Sequence, residues 1–164
     1  VELRESKSAD ESAAIWAGRK AAFGAMGRIN DYMCLDGTIP VNELPLVLRR
    51  IGEMSEKYGL KVANVFHAGD GNMHPLILFD ANKPGDLELC EAFGAEVLKL
   101  CVEVGGCLTG EHGVGVEKRD LMLTQYSVDD LEAQMRVKDV FDPKWLLNAA
   151  KVFPLSCSDG RRAK

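Results

Sequence analysis

The sequence predicts an α+β domain in which helices pack on one face of a mainly antiparallel sheet. Three observations predict it. Amphipathic helical segments alternate with short strand-like runs, tight turns rich in glycine and proline connect them, and the length of 164 residues suits one domain. With 46% hydrophobic and 27% charged residues, the composition is that of a chain with a packed core and not of a disordered or coiled-coil protein.

Four longer segments have the apolar spacing of helices. The first covers about residues 10–28 and carries Trp16, which we expect in the core. The second begins at an Asn42 N-cap and ends before Gly59, because glycine readily adopts the left-handed conformation that terminates a helix. The third begins at an Asp86 cap and ends at two glycines.

The last predicted helix begins at Ser127, where Asp130 completes a capping box, and it runs to Lys138. A shorter helix is expected over residues 116–123, and the chain beyond Asp142 is expected to be irregular. Strand-like apolar runs lie over residues 29–35, 60–66 and 74–79, with a brief extended piece over 107–109.

Charge and hydropathy argue against two classes of protein. The net charge of -5 at pH 7 is unlike that of a nucleic-acid-binding domain, which usually carries a basic patch. The basic tail of Arg161, Arg162 and Lys164 is small, and we expect it to be solvated. No apolar run approaches ~18 residues, so no membrane-spanning helix is predicted.

The five cysteines do not have the spacing of a zinc ribbon or a thioredoxin-type redox motif. Their number is odd, and no Cys-x-x-Cys pair occurs. Cys90 and Cys101 lie on one face of the third predicted helix. We therefore expect reduced, buried thiols and not disulfides.

All three histidines lie in two glycine-rich segments, HAGDGNMH (67–74) and GEHGVG (110–115). His67 and His74 are at the two ends of a predicted hairpin, where both imidazoles can reach one point. With Glu111 they would form the two-histidine, one-carboxylate set that recurs in catalytic metal sites. His112 would remain free as an acid or base near neutral pH, and Asp70 is expected to bind backbone amides inside its loop. The residues alone predict a metal site of either hydrolytic or redox function.

Longer stretches around these segments resemble a known family. HAGDGNMHPLILFD and GEHGVGVEKR are similar to signatures of the C-terminal domain of FAD-linked oxidases of the vanillyl-alcohol-oxidase type. The similarity is strongest to the branch that contains the flavin subunit of glycolate oxidase and the D-lactate and D-2-hydroxyglutarate dehydrogenases. IWAGRKAAFGAMGRI, the DGTIP turn and DPKWLLNAAKVFP also resemble that branch, so the resemblance extends from about Ile15 to Pro154.

The resemblance implies a fold, a reaction and two cofactors. The fold is a ferredoxin-like antiparallel sheet with helices on one face. The reaction is oxidation of D-2-hydroxy acids (here glycolate or D-lactate) to 2-oxo acids by hydride transfer to flavin. The FAD would be held mostly by a missing N-terminal domain, so we expect this chain to be inactive alone. A divalent metal (zinc, manganese or iron) is the second cofactor.

The resemblance also assigns roles to residues by their position in the motifs. His67, His74 and Glu111 would hold the metal, and His112 would be the base that takes the substrate hydroxyl proton. Substrate-binding roles fall to Arg19, Asn72, Lys118 and Arg119, with Arg19 on the substrate carboxylate. Flavin-facing roles fall to Asn72, Gly113, Gly115 and Asn148. Residues 1–14 would continue from the FAD-binding domain, 15–154 would form the substrate and metal domain, and 155–164 a polar tail.

Two departures from the family pattern matter. The family often has Asn-Pro-Gly-Lys where this chain has Asn148-Ala149-Ala150-Lys151, which weakens the flavin-facing role of Asn148. The hydroxyglutarate dehydrogenases carry a lysine for the distal carboxylate where this chain has Met33-Cys34-Leu35. A smaller or less anionic substrate side chain is therefore expected, as in glycolate or lactate.

The resemblance implies as partners a small 2-hydroxy acid, the FAD-binding domain in cis, and further FAD and iron–sulfur subunits, without nucleic acid. The expected location is cytoplasmic, with peripheral attachment to the inner membrane as an alternative. Two other functions stay open. A stand-alone metallohydrolase would use the same three ligands without flavin, and a non-catalytic assembly module would expose an apolar patch for redox subunits.

Overall fold

The structure, a computed structural model, describes residues 3–162, with side chains described for residues 3–158. It confirms the α+β class. The helices are α1 (Ala9–Met26), α2 (Leu44–Tyr58), α3 (Asp86–Glu103), α4 (Met122–Gln125), α5 (Val128–Phe141) and α6 (Leu155–Arg162). The strands are β1 (Asp31–Cys34), β2 (Gly37–Thr38), β3 (Val62–Asn64), β4 (Asn72–Met73) and β5 (Pro75–Phe79). Within the described part of the chain, no helix is both long and apolar enough to cross a membrane.

The main sheet has the strand order β1-β5-β3, and both pairings are antiparallel. Helix α2 lies between β1 and β3 in the chain, and α3 follows β5. This connectivity is that of the first three strands of a ferredoxin-like sheet. After α3, the described chain makes a bridge between Cys107 and Thr38 of β2 and adds no further strand.

The core lies between this sheet and helices α2 and α3. The predicted stripe of α2 faces inward, with Val47 and Ile51 fully buried. From α3, Phe93 and Val97 pack against Leu35 and the strands. Because burying apolar surface is the main favourable term in folding, this contact holds the sheet against the two helices. The ends of β1 and β5 carry the candidate site.

A second apolar cluster covers the other end of α3. It joins α3 to α4, α5 and the chain that follows, through Leu98, Leu108, Met122, Leu131, Met135, Trp145 and Phe153. Helix α5 begins with the predicted capping box, since Ser127 and Asp130 each accept a hydrogen bond from the other's backbone amide. Leu108 and Val114, which flank the segment that carries Glu111 and His112, both pack in this cluster and so hold the segment at its two ends.

Helix α1 buries none of its residues, so the prediction that Trp16 belongs to the core is wrong. The Trp16 side chain is 60% exposed. Contacts of α1 with the rest of the chain include Phe23, whose ring lies 6.5 Å from those of Tyr32 and His74. Trp16 lines a cavity instead, together with Ile15 and Arg19 of the same helix.

Two predicted helix caps are also corrected. Helix α2 is preceded by a 3-10 turn (Val41–Glu43), so Glu43 and not Asn42 is the N-cap. Gly85, at a positive φ of 88°, is the N-cap of α3. Asp86 is the first helical residue, and its carboxylate accepts hydrogen bonds from the Asp80 amide and Lys83. Because the Asp86 carboxylate binds these groups outside the helix, no side chain caps the first turn of α3.

The C-terminal third differs from its prediction in two places. The expected helix over 116–123 is a turn followed by a 3-10 helix (Arg119–Leu121) and α4. Residues 142–154 are irregular as predicted, but α6 then forms in the segment expected to be a polar tail. The prediction for the side chains of Arg161, Arg162 and Lys164 lies outside the described residues.

The cysteines confirm the expectation of reduced thiols among the described residues. All five are free, and Cys90 and Cys101 are buried. Burial raises the pKa of each of these two thiols to about 12. Burial and the neighbouring Asp36 carboxylate raise the pKa of Cys34 to about 11.

Gly71 holds the first glycine-rich loop in place. It ends a 3-10 turn (Ala68–Asp70) at a φ of 69°, and its carbonyl accepts a hydrogen bond from the Ile39 amide at 2.9 Å. A Cβ atom at this position would overlap the carbonyl oxygen of Ile39. Both the conformation and the close approach therefore require glycine.

We expect Gly71→Ala to lower the free energy of unfolding by at least about 1–2 kcal/mol, because an alanine must adopt a left-handed conformation and displace Ile39. Gly69→Ala, in the same loop, is the matched control, since a Cβ atom on Gly69 would meet no other atom within 4 Å. Urea unfolding of both variants measures the difference. Equal stability of the two variants would contradict the role of Gly71.

Candidate functional site

Three imidazole rings converge on the carboxylate of Glu111. The Glu111 Oε1 atom lies 3.0 Å from His74 Nε2, 3.8 Å from His67 Nε2 and 4.0 Å from His112 Nε2. The rings of His74 and His112 are stacked with centroids 5.1 Å apart, and the rings of His67 and His74 meet edge-on at 5.3 Å. Residues from two loops that are 37 or more positions apart thus share one point.

His74 forms the buried base of the site. Its side chain is 3% exposed, and its Nδ1 lies 2.9 Å from the carbonyl oxygen of Leu35. Because a carbonyl can only accept, Nδ1 must carry the proton, and in a neutral ring Nε2 then presents a lone pair to Glu111. A neutral His74 and an ionised Glu111 would face each other as two acceptors at 3.0 Å. Either a second proton on the ring or a metal ion between the two groups resolves this conflict, and the imidazole and carboxylate donors are of the types that hold a divalent metal.

The other three members of the cluster are half exposed. The exposed side-chain fractions are 50% for His67, 54% for Glu111 and 46% for His112. The site is therefore a buried imidazole at the bottom and three polar side chains around an open side. A small molecule can approach the shared point without any movement of the chain.

The loop that carries Glu111 and His112 is held by Asp36, for which the sequence predicts only a place in the DGTIP turn. Asp36 is fully buried. Its carboxylate accepts hydrogen bonds from five groups: the Thr109 hydroxyl at 2.6 Å, the backbone amides of Gly110, Glu111 and His112, and the Lys118 ammonium at 3.2 Å. Each residue of the predicted Glu-His pair is thus fixed through its own backbone.

The pKa of Asp36 reflects this environment. Burial raises it, but the Thr109 hydroxyl, the amides of His112 and Glu111 and the charge of Lys118 together outweigh burial. The net effect holds the pKa well below the ordinary value of an aspartic acid. Asp36 is therefore a carboxylate at neutral pH, and its negative charge binds the loop amides and the Lys118 ammonium.

Gly110 and Asn72 form the contact between the two glycine-rich loops. A Cβ atom on Gly110 would meet Asn72 Oδ1 at 2.7 Å and the methyl group of Thr38 at 2.8 Å. Asn72 is buried, and its Oδ1 has no hydrogen-bond partner within the described part of the chain. An unsatisfied buried oxygen is uncommon, so Asn72 is free to bind a group that enters here.

Two adjoining cavities border the site. The larger, of about 690 Å³, lies between α1 and the first loop and is lined in part by Trp16, Arg19, Phe66 and His67. The smaller, of about 390 Å³, is lined by Thr38, His67, Asp70, Asn72, Gly110 and Glu111. His67 and Asp70 line both, so the cavities meet at the first loop.

Arg19 reaches the larger cavity from α1. Its Nη2 atom donates a hydrogen bond to the carbonyl oxygen of Phe66 at 3.3 Å. Because Phe66 precedes His67 in the sequence, this bond places the guanidinium close to the backbone of His67. The guanidinium carbon lies 6.0 Å from the ring centroid of Phe23. The remaining N–H donors of the group are available for an anionic ligand.

Three other residues singled out in the sequence make their described contacts with groups outside the three imidazoles and Glu111. Lys118 is buried beneath the second loop with its ammonium on Asp36. Arg119 donates to the Ala150 carbonyl at 2.8 Å and contacts Asp120. Asn148 is exposed at a φ of 48° and accepts a hydrogen bond from Lys151. These three residues do not join the histidine cluster.

The remaining predicted residues have mixed outcomes. Gly113 and Gly115 both have positive φ, with open space around them. The expectation that Asp70 binds amides in its loop is wrong, since its carboxylate accepts no hydrogen bond from any described residue and is exposed. The aspartate that does bind loop amides is Asp36, and it binds those of the other loop.

Two compact groups of ligand atoms surround His74 and His112, and neither of them contains His67. One adds Asp36 and Glu111, and the other adds Cys34, with all ligand atoms of each group within 4.8 Å of one another. Asp36 is saturated by the loop and cannot also bind a metal without releasing it. Cys34 has no such commitment, because the hydrogen bond given for its thiol goes to the adjacent Leu35 carbonyl.

We expect Asp36→Asn to lower the free energy of unfolding by about 3–5 kcal/mol, because it removes the only anion beside the buried Lys118 ammonium in the described ion pairs. Asp70→Asn is the matched control, since it makes the same chemical change at an exposed aspartate in the other glycine-rich loop. Urea unfolding measures both. Similar losses in the two variants would contradict the anchoring role of Asp36.

Comparison with known proteins gives one consistent result. The pattern that describes the family "FAD linked oxidases, C-terminal domain" matches residues 2–152. Glycolate oxidase subunit GlcD of Escherichia coli is 53% identical over 155 residues, which cover 94% of this chain and 31% of that protein. GlcD of Bacillus subtilis is 31% identical over 154 residues, covering 93% of this chain and 33% of that protein.

A less similar relative is named as a dehydrogenase of another 2-hydroxy acid. The mitochondrial D-lactate dehydrogenase (cytochrome) of Kluyveromyces lactis is 29% identical over 157 residues, covering 92% of this chain and 27% of that protein. The chain thus spans about a third of the length of the curated relatives that it matches. Since the family pattern covers nearly the whole sequence, including both histidine loops and Asp36, the chain belongs to the family of FAD-linked oxidase C-terminal domains.

Proposed function

We propose that this chain is the substrate- and metal-binding part of an FAD-dependent enzyme that oxidises a small D-2-hydroxy acid, glycolate or D-lactate, to the 2-oxo acid. The observation that carries the proposal is the convergence of three imidazoles on Glu111 beside a cavity that Arg19 lines. Membership in a family of FAD-linked oxidases and the names of the relatives support a redox reaction over hydrolysis. When bound, FAD would accept the hydride from C2 of the substrate.

His67, His74 and Glu111 would hold a divalent metal, either zinc, manganese or iron. The 3.0 Å approach of His74 Nε2 to the Glu111 carboxylate supports this ligand set, as does the carbonyl of Leu35 that fixes the His74 ring. When bound, the metal would act as a Lewis acid that makes the substrate hydroxyl more acidic. Zinc, manganese and iron all accept imidazole and carboxylate ligands, so the ligand types favour none of the three.

His112 would take the proton from the substrate hydroxyl. Its backbone is fixed by Asp36, and its ring stacks on His74, which keeps the imidazole next to the metal ligands. The ring is about half exposed, so a substrate can reach it. An imidazole held in this way beside the substrate hydroxyl is a suitable general base.

Arg19 would bind the substrate carboxylate. A guanidinium offers two parallel N–H donors to a carboxylate, and the cavity that Arg19 lines also contains His67. Asn72, whose buried Oδ1 lacks a partner among the described residues, would accept a hydrogen bond from the substrate or the flavin. Trp16 would form a wall of the same cavity.

Lys118 and Arg119 are better assigned as positioning residues than as substrate ligands. The Lys118 ammonium neutralises Asp36 beneath the loop of His112, and the Arg119 guanidinium binds the Ala150 carbonyl. Gly113, Gly115 and Asn148 would lie near the flavin. For Gly113 and Gly115, the open space around each glycine supports this.

The flavin itself would be held mostly by an FAD-binding domain in the same polypeptide, which the family description and the coverage of the relatives support. Val140, Phe141, Leu146 and Leu147 are large, apolar and exposed, and such side chains commonly mark an interface. Further FAD and iron–sulfur subunits, and a cytoplasmic location, are part of the same proposal.

In the flavoprotein that contains this chain, we expect His112→Gln to slow flavin reduction by glycolate or D-lactate by about 10²–10⁴-fold, because the base is lost. Stopped-flow loss of the flavin absorbance measures the single turnover. Lys57→Gln is the control, since Lys57 pairs with Glu96 across α2 and α3, away from the histidines. Unchanged reduction by the His112 variant, with normal flavin content, would overturn the assignment of the base.

We expect Glu111→Gln to reduce bound zinc, manganese or iron by about tenfold or more, because an anionic ligand becomes a neutral amide. The His67→Gln, His74→Gln double variant should lose the metal as well. Elemental analysis of the purified proteins measures the content, with Glu117→Gln as the control for an exposed carboxylate outside the cluster. Equal metal content in wild type and Glu111→Gln would remove the metal from the proposal.

A further inference from the structure

We propose that Cys34, His74 and His112 form a second metal-binding set, which captures a thiophilic divalent cation such as zinc, cadmium or cobalt. The ligand atoms of these three residues lie within 4.8 Å of one another. The consequence for activity, but not the binding itself, rests on the function proposed above. Sulfur distinguishes this set from the one built by His67, His74 and Glu111.

The strand geometry brings Cys34 to the histidines. Met33 of β1, and Leu35 directly after this strand, belong to the core on the side of α2 and α3. Because side chains alternate along a strand, Tyr32 and Cys34 face the opposite side, where Tyr32 contacts Phe23 of α1. Cys34 pairs with Leu76 of β5, so His74, two residues earlier, projects from the same face.

The Cys34 thiol is available as a ligand. It is partly buried, and the one hydrogen bond described for it goes to the carbonyl of the adjacent Leu35 at 3.5 Å, which a bound cation would replace. Cys90 and Cys101 are buried in the core, and Cys107 is exposed elsewhere. Of the five cysteines, Cys34 is the one that the metal-ligand groups among the described residues contain.

Ligand chemistry separates the two sets. Binding to Cys34 replaces the S–H bond by a sulfur–metal bond and releases one proton to solvent, so the cation must have a high affinity for thiolate. Zinc, cadmium and cobalt meet this requirement, whereas manganese and magnesium prefer oxygen ligands. His74 belongs to both sets, so one cation at a time can use it.

A cation on the second set would also occupy His112. A nitrogen lone pair bound to a metal cannot accept a proton, so the base proposed above would be withdrawn. The site would then be inhibited by thiophilic cations and restored by a chelator. The sulfur ligand would therefore make the activity sensitive to the kind of divalent metal present.

The test uses cobalt(II) with the 164-residue chain. A thiolate bound to cobalt gives a charge-transfer absorption in the near ultraviolet that nitrogen and oxygen ligands do not give. We expect the band in the wild type and in two controls, Cys107→Ser and His67→Gln. We expect Cys34→Ser and Cys34→Val to lose it, His112→Gln to weaken it, and the Kd for cadmium to rise at least about tenfold in the Cys34 variants.

Circular dichroism identifies any variant that fails to fold, and the two Cys34 substitutions provide independent checks. A band of wild-type intensity in folded Cys34→Ser or Cys34→Val would overturn the proposal, as would the absence of a band in the wild type. A cobalt band in a chain that binds no manganese would support the second set and refute the manganese form of the first. Manganese binding without a cobalt band would refute only the second.

Discussion

The buried carboxylate of Asp36 is the interaction on which the rest of the site depends. It has no solvent to interact with, and the Thr109 hydroxyl, three consecutive amides and Lys118 satisfy it instead. Leaving any buried charge unpaired is costly, so the loop of residues 109–112 must wrap around this oxygen pair. The positions of Glu111 and His112 follow from that requirement and not from contacts of their own side chains.

The same strand end organises the other half of the site. The carbonyl of Leu35, next to Asp36, fixes the ring of His74, and Cys34 precedes it on the face that the histidines share. Three consecutive residues thus contribute to the site: Cys34 lies beside the histidines, Leu35 orients His74, and Asp36 holds the loop of Glu111 and His112. The core contact of Leu35 with α2 and α3 holds this strand end, which links the packing of the domain to the geometry of its imidazoles.

The sequence predicted the histidine cluster because composition and local spacing carry that signal: all three histidines lie beside glycines. It also predicted the α+β class, the capping box at Ser127 and the buried Cys90 and Cys101, which depend on periodicity. The role of Asp36 was not predicted, because its partners lie 73 or more positions away and its DGTIP context is that of an ordinary turn. Trp16 was misassigned for a related reason, since a large apolar side chain on a helix can line a cavity as well as a core.

The distribution of burial across the cluster has a physical meaning of its own. His74 is enclosed and oriented by a carbonyl, whereas His67, Glu111 and His112 are each about half exposed. Electrostatic interactions are strongest where water is excluded, so an open cluster of this kind holds a cation or a proton less firmly than a closed one. A flavin domain that covered the open side would exclude water from these three side chains and strengthen their interactions with a bound hydroxy acid. This chain would thus contribute the buried His74 and the other side chains of the cluster, and a covering domain would exclude water from around them.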